Sequence, residues 1–134
     1  MNVETVAVVC AVLFGCLALF QVALALGAPA GTVVFGGRVA EADGRLPSKW
    51  RAVSALAAAI LIGFAWVVLA RAGVVATSID QRFLSVATWA IVAYMAINSA
   101  ANFASKNAIE RYLMGGVSLV LVVLCSFVAA SGPT

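Results

Sequence analysis

The distribution of charge constrains this chain more than any other feature. Its 134 residues include eight basic and five acidic side chains. All of them fall outside four long stretches, which are Thr5–Gly37, Ala52–Ala70, Phe83–Ser105 and Tyr112–Thr134. A helix needs about 20 mostly apolar residues to cross roughly 30 Å of hydrocarbon, and a charge at its centre costs about 3 kcal/mol. The pattern therefore predicts membrane-spanning helices at approximately 5–27, 52–71, 83–105 and 112–131.

Composition and length limit the architecture further. Hydrophobic residues make up 65% of the chain, whereas soluble domains contain about 45–50%. Four spans leave room for one transmembrane domain over residues 1–134 and for short connections, but not for a separate catalytic domain. Short connections force neighbouring helices to run antiparallel, so we expect an all-α, polytopic four-helix bundle with one longer, structured loop.

Basic residues predict the orientation. The first and third connections together carry six of the eight, namely Arg38, Arg45, Lys49, Arg51, Lys106 and Arg111. Arg71 and Arg82 lie in the middle connection. The positive-inside rule then places the first and third loops in the cytoplasm and both termini outside.

The first loop, residues 28–51, is the only connection long enough to have a structure of its own. Gly27 and Pro29 favour the end of the first helix, and we expect Ser48 to be the N-cap of the second. Between them, Thr32–Phe35 is too apolar to extend into water. We expect this segment to fold back against the cytoplasmic mouth of the bundle or to lie in the interface. Alternatively, it continues the first hydrophobic segment at the headgroup level.

Small residues recur at a spacing of four on three spans, and such spacing lets helix backbones approach closely in lipid. We interpret these stripes as contact surfaces within the bundle. They are Ala7, Ala11 and Gly15; Ala55, Ala59 and Gly63; and Ala96, Ala100 and Ala104.

The third span has the most polar face. Tyr94, Asn98, Asn102 and Ser105 recur at helical spacing, and Gln21 lies at a similar depth on the first span. One interpretation is an interhelical hydrogen-bonded cluster of Gln21, Asn98 and Asn102. The other is a polar pocket open to the cytoplasm that binds a headgroup, a quinone or a small solute. The candidate rim residues of such a pocket are Arg45, Arg51, Ser54, Glu110 and Arg111.

The sequence offers little equipment for catalysis. Histidine is absent, which removes the commonest ligand for zinc, copper and haem. Cys10, Cys16 and Cys125 lie within apolar spans and form no Cys-x-x-Cys pair, so we expect them to be buried and structural. Glu4 and Glu110 lie at span ends, where they do not meet the need of proton-coupled export for an acid inside the membrane. We therefore expect a protein without enzymatic activity and without a cofactor or metal.

Several short motifs together carry a family resemblance. They are Gly27-Ala28-Pro29-Ala30-Gly31, Gly36-Gly37, Leu46-Pro47, Arg51-x-x-Ser54, Asn102-x-x-Ser105 and Glu110-Arg111. With them, nearly the whole chain resembles an uncharacterised family of small four-span integral membrane proteins of bacteria, of the actinobacterial type. The resemblance implies the four-span architecture and a location in the inner membrane of a bacterial cell, but no activity.

These observations favour an accessory or scaffold subunit, or a lipid-binding subunit. We expect it to interact with membrane lipid, and with another membrane protein or a second copy of itself, but not with nucleic acid, because its basic residues form no continuous face. The alternative is a small-solute permease or channel with a polar path near Gln21, Asn98 and Asn102.

Overall fold

The protein is an antiparallel bundle of four helices. The computed structural model describes all residues, 1–134. Its helices are α1 (Val3–Ala25), α2 (Ser48–Arg71), α3 (Gln81–Phe103) and α4 (Gly115–Ser131), and a π-helical segment, Ile109–Met114, leads directly into α4. By length and composition, all four spans can cross a membrane. The prediction of an all-α, four-span bundle is confirmed, and the chain is a multi-pass membrane protein.

The helix ends differ slightly from the predicted ones. Helix α1 ends at Ala25 because Gly27 adopts a φ of +96°, a left-handed conformation that glycine tolerates best. Helix α2 begins at Ser48, before the predicted residue 52, and Pro47 occupies the N-cap position without a side-chain cap bond. The prediction of Ser48 as N-cap is therefore wrong. The ring of Pro47 restricts its own φ, and this fixes the direction in which the chain enters the first turn of α2.

Two hairpins build the bundle. Helix α1 packs most extensively against α2, and α3 against α4, whereas the contacts between the hairpins are fewer. We call the end of the bundle that holds the α1–α2 loop and the α3–α4 turn the long-loop end, and the opposite end the termini end. Buried apolar side chains from all four helices fill the termini half and the middle. They include Cys10, Phe14, Val68, Met95, Leu121 and Val128.

Two of the three small-residue stripes point away from this core. On α1, Ala7 is completely buried. On α2, Ala55, Ala59 and Gly63 are exposed, and so are the three alanines of the α3 stripe. The expectation that all three stripes form contacts within the bundle is therefore wrong for α2 and α3. Larger side chains such as Val68 and Met95 make those contacts instead, on the opposite faces.

The α1–α2 loop folds back onto the long-loop end. Val34 and Leu46 are buried together with Leu24 of α1 in a small second core. Two short 3₁₀ turns, Gly31–Val33 and Phe35–Gly37, lie on either side of Val34. Thr32–Phe35 therefore packs against the mouth of the bundle, which is the first of the arrangements expected for this segment.

A buried arginine fastens the C-terminal tail at the termini end. Arg71 is only 5% exposed, and its guanidinium donates to the carbonyl of Ala129 at 3.0 Å and to Gln81 Oε1 at 3.1 Å. It also donates to the carbonyl of Pro133. A backbone carbonyl accepts a charge-assisted bond from a guanidinium, so Arg71 joins the tail to α2 and α3.

Candidate functional site

A cavity of about 550 Å³ lies between the two hairpins at the long-loop end. All four helices and the α1–α2 loop contribute to its lining. The lining includes Leu17, Phe20, Gln21, Val33–Gly36, Arg38, Ala57, Ile60, Leu61, Tyr94, Met95, Asn98, Ala101, Asn102, Ser105, Lys106, Glu110, Met114 and Ser118. The volume falls within the range of about 300–1,000 Å³ that is typical of small-molecule sites.

An aromatic row marks the depth at which the cavity ends. The ring of Phe14 meets that of Phe64 at 5.7 Å between centroids, and Phe64 meets Tyr94 at 5.4 Å, both edge to face. Tyr94 lines the cavity, while Phe14 is completely buried in the core. From Tyr94 to Ala104, α3 rises about 15 Å at 1.5 Å per residue. The cavity thus occupies about half of a hydrocarbon layer roughly 30 Å thick.

The cavity brings together the polar residues singled out on the first and third spans. Gln21, Tyr94, Asn98, Asn102 and Ser105 all line it. The amides do not bond to one another, so the predicted hydrogen-bonded cluster does not form.

Each amide has a different set of partners. Asn98 instead donates from Nδ2 to Ser118 Oγ on α4 at 3.0 Å. The buried Oε1 of Gln21 has no hydrogen-bond partner in the protein. An unpartnered buried carbonyl is costly, so this atom needs a donor from a molecule in the cavity.

Glu110 links the cavity to its cap, which we define as residues 32–38 of the α1–α2 loop. The carboxylate is 8% exposed, accepts the Ser105 hydroxyl at 2.5 Å and accepts the Gly36 amide at 3.3 Å. Asn107 Nδ2 donates to the carbonyl of Thr32 at 3.1 Å. The α3–α4 turn therefore holds the cap through one side-chain carboxylate and one side-chain amide.

Strain in the cap is offset by aromatic contact. Phe35 has a φ of +51°, which is uncommon for a residue with a Cβ. Its ring lies 4.9 Å from that of Trp50 at the start of α2, and aromatic pairs at this distance stabilise packing. The contact holds Phe35 in the unfavourable conformation and turns the following backbone amide toward Glu110.

Four predicted rim residues lie away from the cavity lining. Arg45 is exposed and pairs with Asp43 at 3.7 Å within the loop. Arg51 donates from Nε to the carbonyl of Ala25 at 2.8 Å. The last carbonyls of a helix lack intrahelical partners, so the end of α1 draws this guanidinium away from the mouth.

The remaining two are engaged or enclosed elsewhere. Ser54 is completely buried, and its hydroxyl has no partner. Arg111 donates from Nε to the carbonyl of Ser105 at 2.8 Å and thereby closes the α3–α4 turn. Glu110 is thus the one predicted rim residue that does line the cavity.

Arg38 and Lys106 line the mouth in their place. Neither is among the predicted rim residues, although both belong to the loops that the sequence predicts to be cytoplasmic. The signal that would have found them is the position of each beside a conspicuous motif: Arg38 follows the Gly36-Gly37 turn, and Lys106 follows Ser105, the last residue of the polar face. Both side chains are exposed, and neither forms an ion pair or a hydrogen bond within the protein.

The cavity reaches the surface of the bundle on the side between α2 and α3. Ile60 and Tyr94 line it and are 40% and 51% exposed. Ala101 on α3 also lines it and is exposed. Exposed side chains of α2 and α3 thus form the part of the lining that reaches the surface.

The cysteines lie outside the cavity. Cys10 and Cys125 are completely buried in the core, with their sulfurs 3.9 Å apart. Cys16 is exposed on the bundle surface, so the expectation of burial is wrong for this residue. No group of three or more histidine, cysteine or acidic side chains lies together in an arrangement suited to a metal ion.

Fold and span number define the class of this chain as a helical, multi-pass membrane protein. Comparison with protein-family models, with curated protein sequences and with solved structures finds no match. The resemblance to small four-span bacterial membrane proteins therefore stays a prediction.

Proposed function

We propose that this chain is a non-enzymatic lipid-binding protein of the bacterial inner membrane, which holds part of one lipid molecule in the cavity between its hairpins. The observation that carries the proposal is a mixed apolar and amide-lined cavity that spans one leaflet and contains an unpartnered buried carbonyl, Gln21 Oε1. In the predicted orientation, the long-loop end is cytoplasmic and the lipid belongs to the inner leaflet.

The lining suits an amphipathic molecule. Leu17, Leu61 and Met95 provide an apolar inner end next to the aromatic row. Nearer the mouth, the side chains of Gln21 and Asn102 make no hydrogen bond within the protein. Their amide groups can donate to the ester carbonyls of a lipid, while Gln21 Oε1 accepts from a lipid hydroxyl or from a water that accompanies the lipid.

The permease alternative needs a polar path through the termini half as well. There, Phe14, Leu121 and Val128 are completely buried against one another in an apolar core. A solute that reached the aromatic row would have to separate this core. Flux into liposomes that is abolished by Asn98→Leu with Asn102→Leu, in a variant that remains folded, would favour transport over lipid binding.

The decisive experiment compares a cavity-filling variant with a matched surface variant on the same helix. Ala57 lines the cavity, whereas Ala59 is exposed outside it. The full chain is purified in mild detergent, and the lipid that it retains is counted by native mass spectrometry. We expect the wild-type protein and Ala59→Phe to retain one phospholipid and Ala57→Phe to lose it. Absence of retained lipid, or equal retention by both variants, would contradict the proposal.

An accessory role for the same protein requires a membrane partner. The exposed small-residue faces of α2 and α3 leave room for close approach by another helix. Solubilisation in the same mild detergent, followed by identification of co-purifying proteins, tests this part separately. A monodisperse chain without a partner would count against the accessory role and leave lipid binding unaffected.

A further inference from the structure

We infer that the lipid held by the cavity carries an anionic, phosphate-containing headgroup, which Arg38 and Lys106 receive at the mouth. This inference rests on the proposed function and specifies its ligand. It follows from the balance of charge at the mouth, which the two cations and one carboxylate of the lining determine.

Arg38 approaches the mouth from the cap. Its side chain is exposed and lies over the backbone of Gly36, close enough that a Cβ added to this glycine would lie 3.7 Å from the arginine Nε. No carboxylate lies within 4.0 Å, since the one ion pair of the protein joins Arg45 to Asp43. The guanidinium thus keeps all its donors for a ligand, and its planar fork suits phosphate oxygens.

Lys106 approaches from the other hairpin. It follows Ser105 in the α3–α4 turn, lines the same cavity and is exposed. Its ammonium likewise has no partner within the protein. A cation thus stands on each hairpin, and a phosphate between them would bridge the cap to the α3–α4 turn.

The negative charge of Glu110 does not pair with either cation. One carboxylate oxygen accepts the Ser105 hydroxyl and the other accepts the Gly36 amide. Both oxygens therefore face protein donors, and the carboxylate holds the cap instead of closing the mouth as an ion pair. Two free cations remain for an anionic headgroup, whereas a zwitterionic headgroup would add a choline or amine that they repel.

The depth of the polar groups agrees with a lipid source for the phosphate. The cations occupy the mouth, the amides of Gln21 and Asn98 lie deeper, and apolar side chains line the inner end. This order matches headgroup, ester region and acyl chain. A soluble phosphate compound would use the mouth and leave the deeper cavity unexplained.

The test offers the protein two headgroups on identical acyl chains. The full chain is exchanged into vesicles of equimolar phosphatidylglycerol and phosphatidylcholine and extracted in mild detergent, and the retained lipids are quantified. Each basic residue near an anionic lipid raises binding about fivefold. With two such residues we expect roughly 25-fold enrichment of phosphatidylglycerol, falling to near parity in the lipid that Arg38→Gln with Lys106→Gln retains.

The matched control removes two cations from the same end of the bundle that do not line the cavity, Arg45→Gln with Lys49→Gln. We expect this variant to keep the preference. Equal loss in both double variants would assign the preference to diffuse charge and overturn the inference. Retained lipid without headgroup preference in the wild-type protein would also overturn it, yet leave lipid binding intact. Absence of any retained lipid would refute lipid binding itself.

A competition arm distinguishes the source of the phosphate. Glycerol phosphate, which carries the headgroup chemistry without acyl chains, is added at the same concentration as the vesicle phosphatidylglycerol. We expect no displacement of retained lipid. Displacement that depends on Arg38 and Lys106 would overturn the inference in favour of a soluble phosphate compound.

Discussion

Replacement of Glu110 by glutamine should release the cap from the α3–α4 turn. The carboxylate accepts from the Ser105 hydroxyl and from the Gly36 backbone amide. Ser105 Oγ also accepts from the backbone amide of Asn107 at 3.2 Å. Glutamine has one acceptor atom in place of two. If Oε1 keeps the Ser105 hydroxyl, the new NH₂ group faces the Gly36 amide and the cap loses its acceptor. If Oε1 turns to Gly36, the Ser105 bond must be rebuilt.

The expected loss follows from these contacts. A hydrogen bond to a charged group contributes about 1.5–3 kcal/mol, and a neutral one about 0.5–1.5 kcal/mol. Glu110→Gln makes both hydrogen bonds neutral, and one of the two is weakened or broken. The same change lowers the desolvation cost, because the buried side chain at this position, with the residue 8% exposed, no longer carries a charge. We expect a net loss of about 1.4 kcal/mol in cap docking, which corresponds to about a tenfold increase in the open population.

Amide hydrogen exchange measured by NMR in micelles reports this opening directly. We expect exchange of the Gly36 amide to accelerate about tenfold in Glu110→Gln. The Gly31 amide, which donates to the carbonyl of Gly44 at 2.8 Å, is an internal control because its bond does not involve Glu110. Glu41→Gln, in the same loop and exposed, should change neither rate. An unchanged Gly36 rate in Glu110→Gln would refute the role of this carboxylate.

Two further predictions test the packing of the termini half. Because the sulfurs of Cys10 and Cys125 are 3.9 Å apart in the completely buried core, Cys125→Leu should overpack α1 against α4 and lower the free energy of unfolding by about 1–3 kcal/mol. Cys16→Leu, on the exposed surface, should not lower it; identical unfolding of the two variants would contradict the packing of α1 against α4. A Cβ at Gly132 would lie 2.6 Å from the guanidinium carbon of the buried arginine, whereas one at Gly116 meets nothing within 4 Å. Gly132→Ala should therefore lower unfolding stability by about 1–3 kcal/mol, and Gly116→Ala should not; equal denaturation midpoints for the two variants would be the opposite result.

The architecture was readable from the sequence because lipid imposes a simple rule. Backbone polar groups in hydrocarbon must bond internally, so an uncharged stretch of sufficient length is helical. Helix ends obey local chemistry, and there the predictions differ from the structure. Gly27 ends α1 earlier than expected, and Pro47 starts α2 in place of the predicted Ser48 cap.

The candidate site was readable in part. Helical spacing placed Asn98, Asn102 and Ser105 on one face, and the cavity lies on that face. Periodicity could not tell a packed cluster from a hollow, because that depends on how far the hairpins stand apart. The residues of the mouth could not be predicted for a related reason. The path of the α1–α2 loop decides which arginine lines the mouth, and sequence patterns do not specify that path. Arg51 bonds to the end of α1, whereas Arg38 lines the mouth.

A structure of the protein in a lipid nanodisc would show whether the cavity holds a lipid. We expect elongated non-protein density between the hairpins beside Asn98, ending in headgroup density between Arg38 and Lys106. Closed hairpins without such density, in which the amide of Gln21 bonds directly to Asn98 or Asn102, would contradict lipid binding.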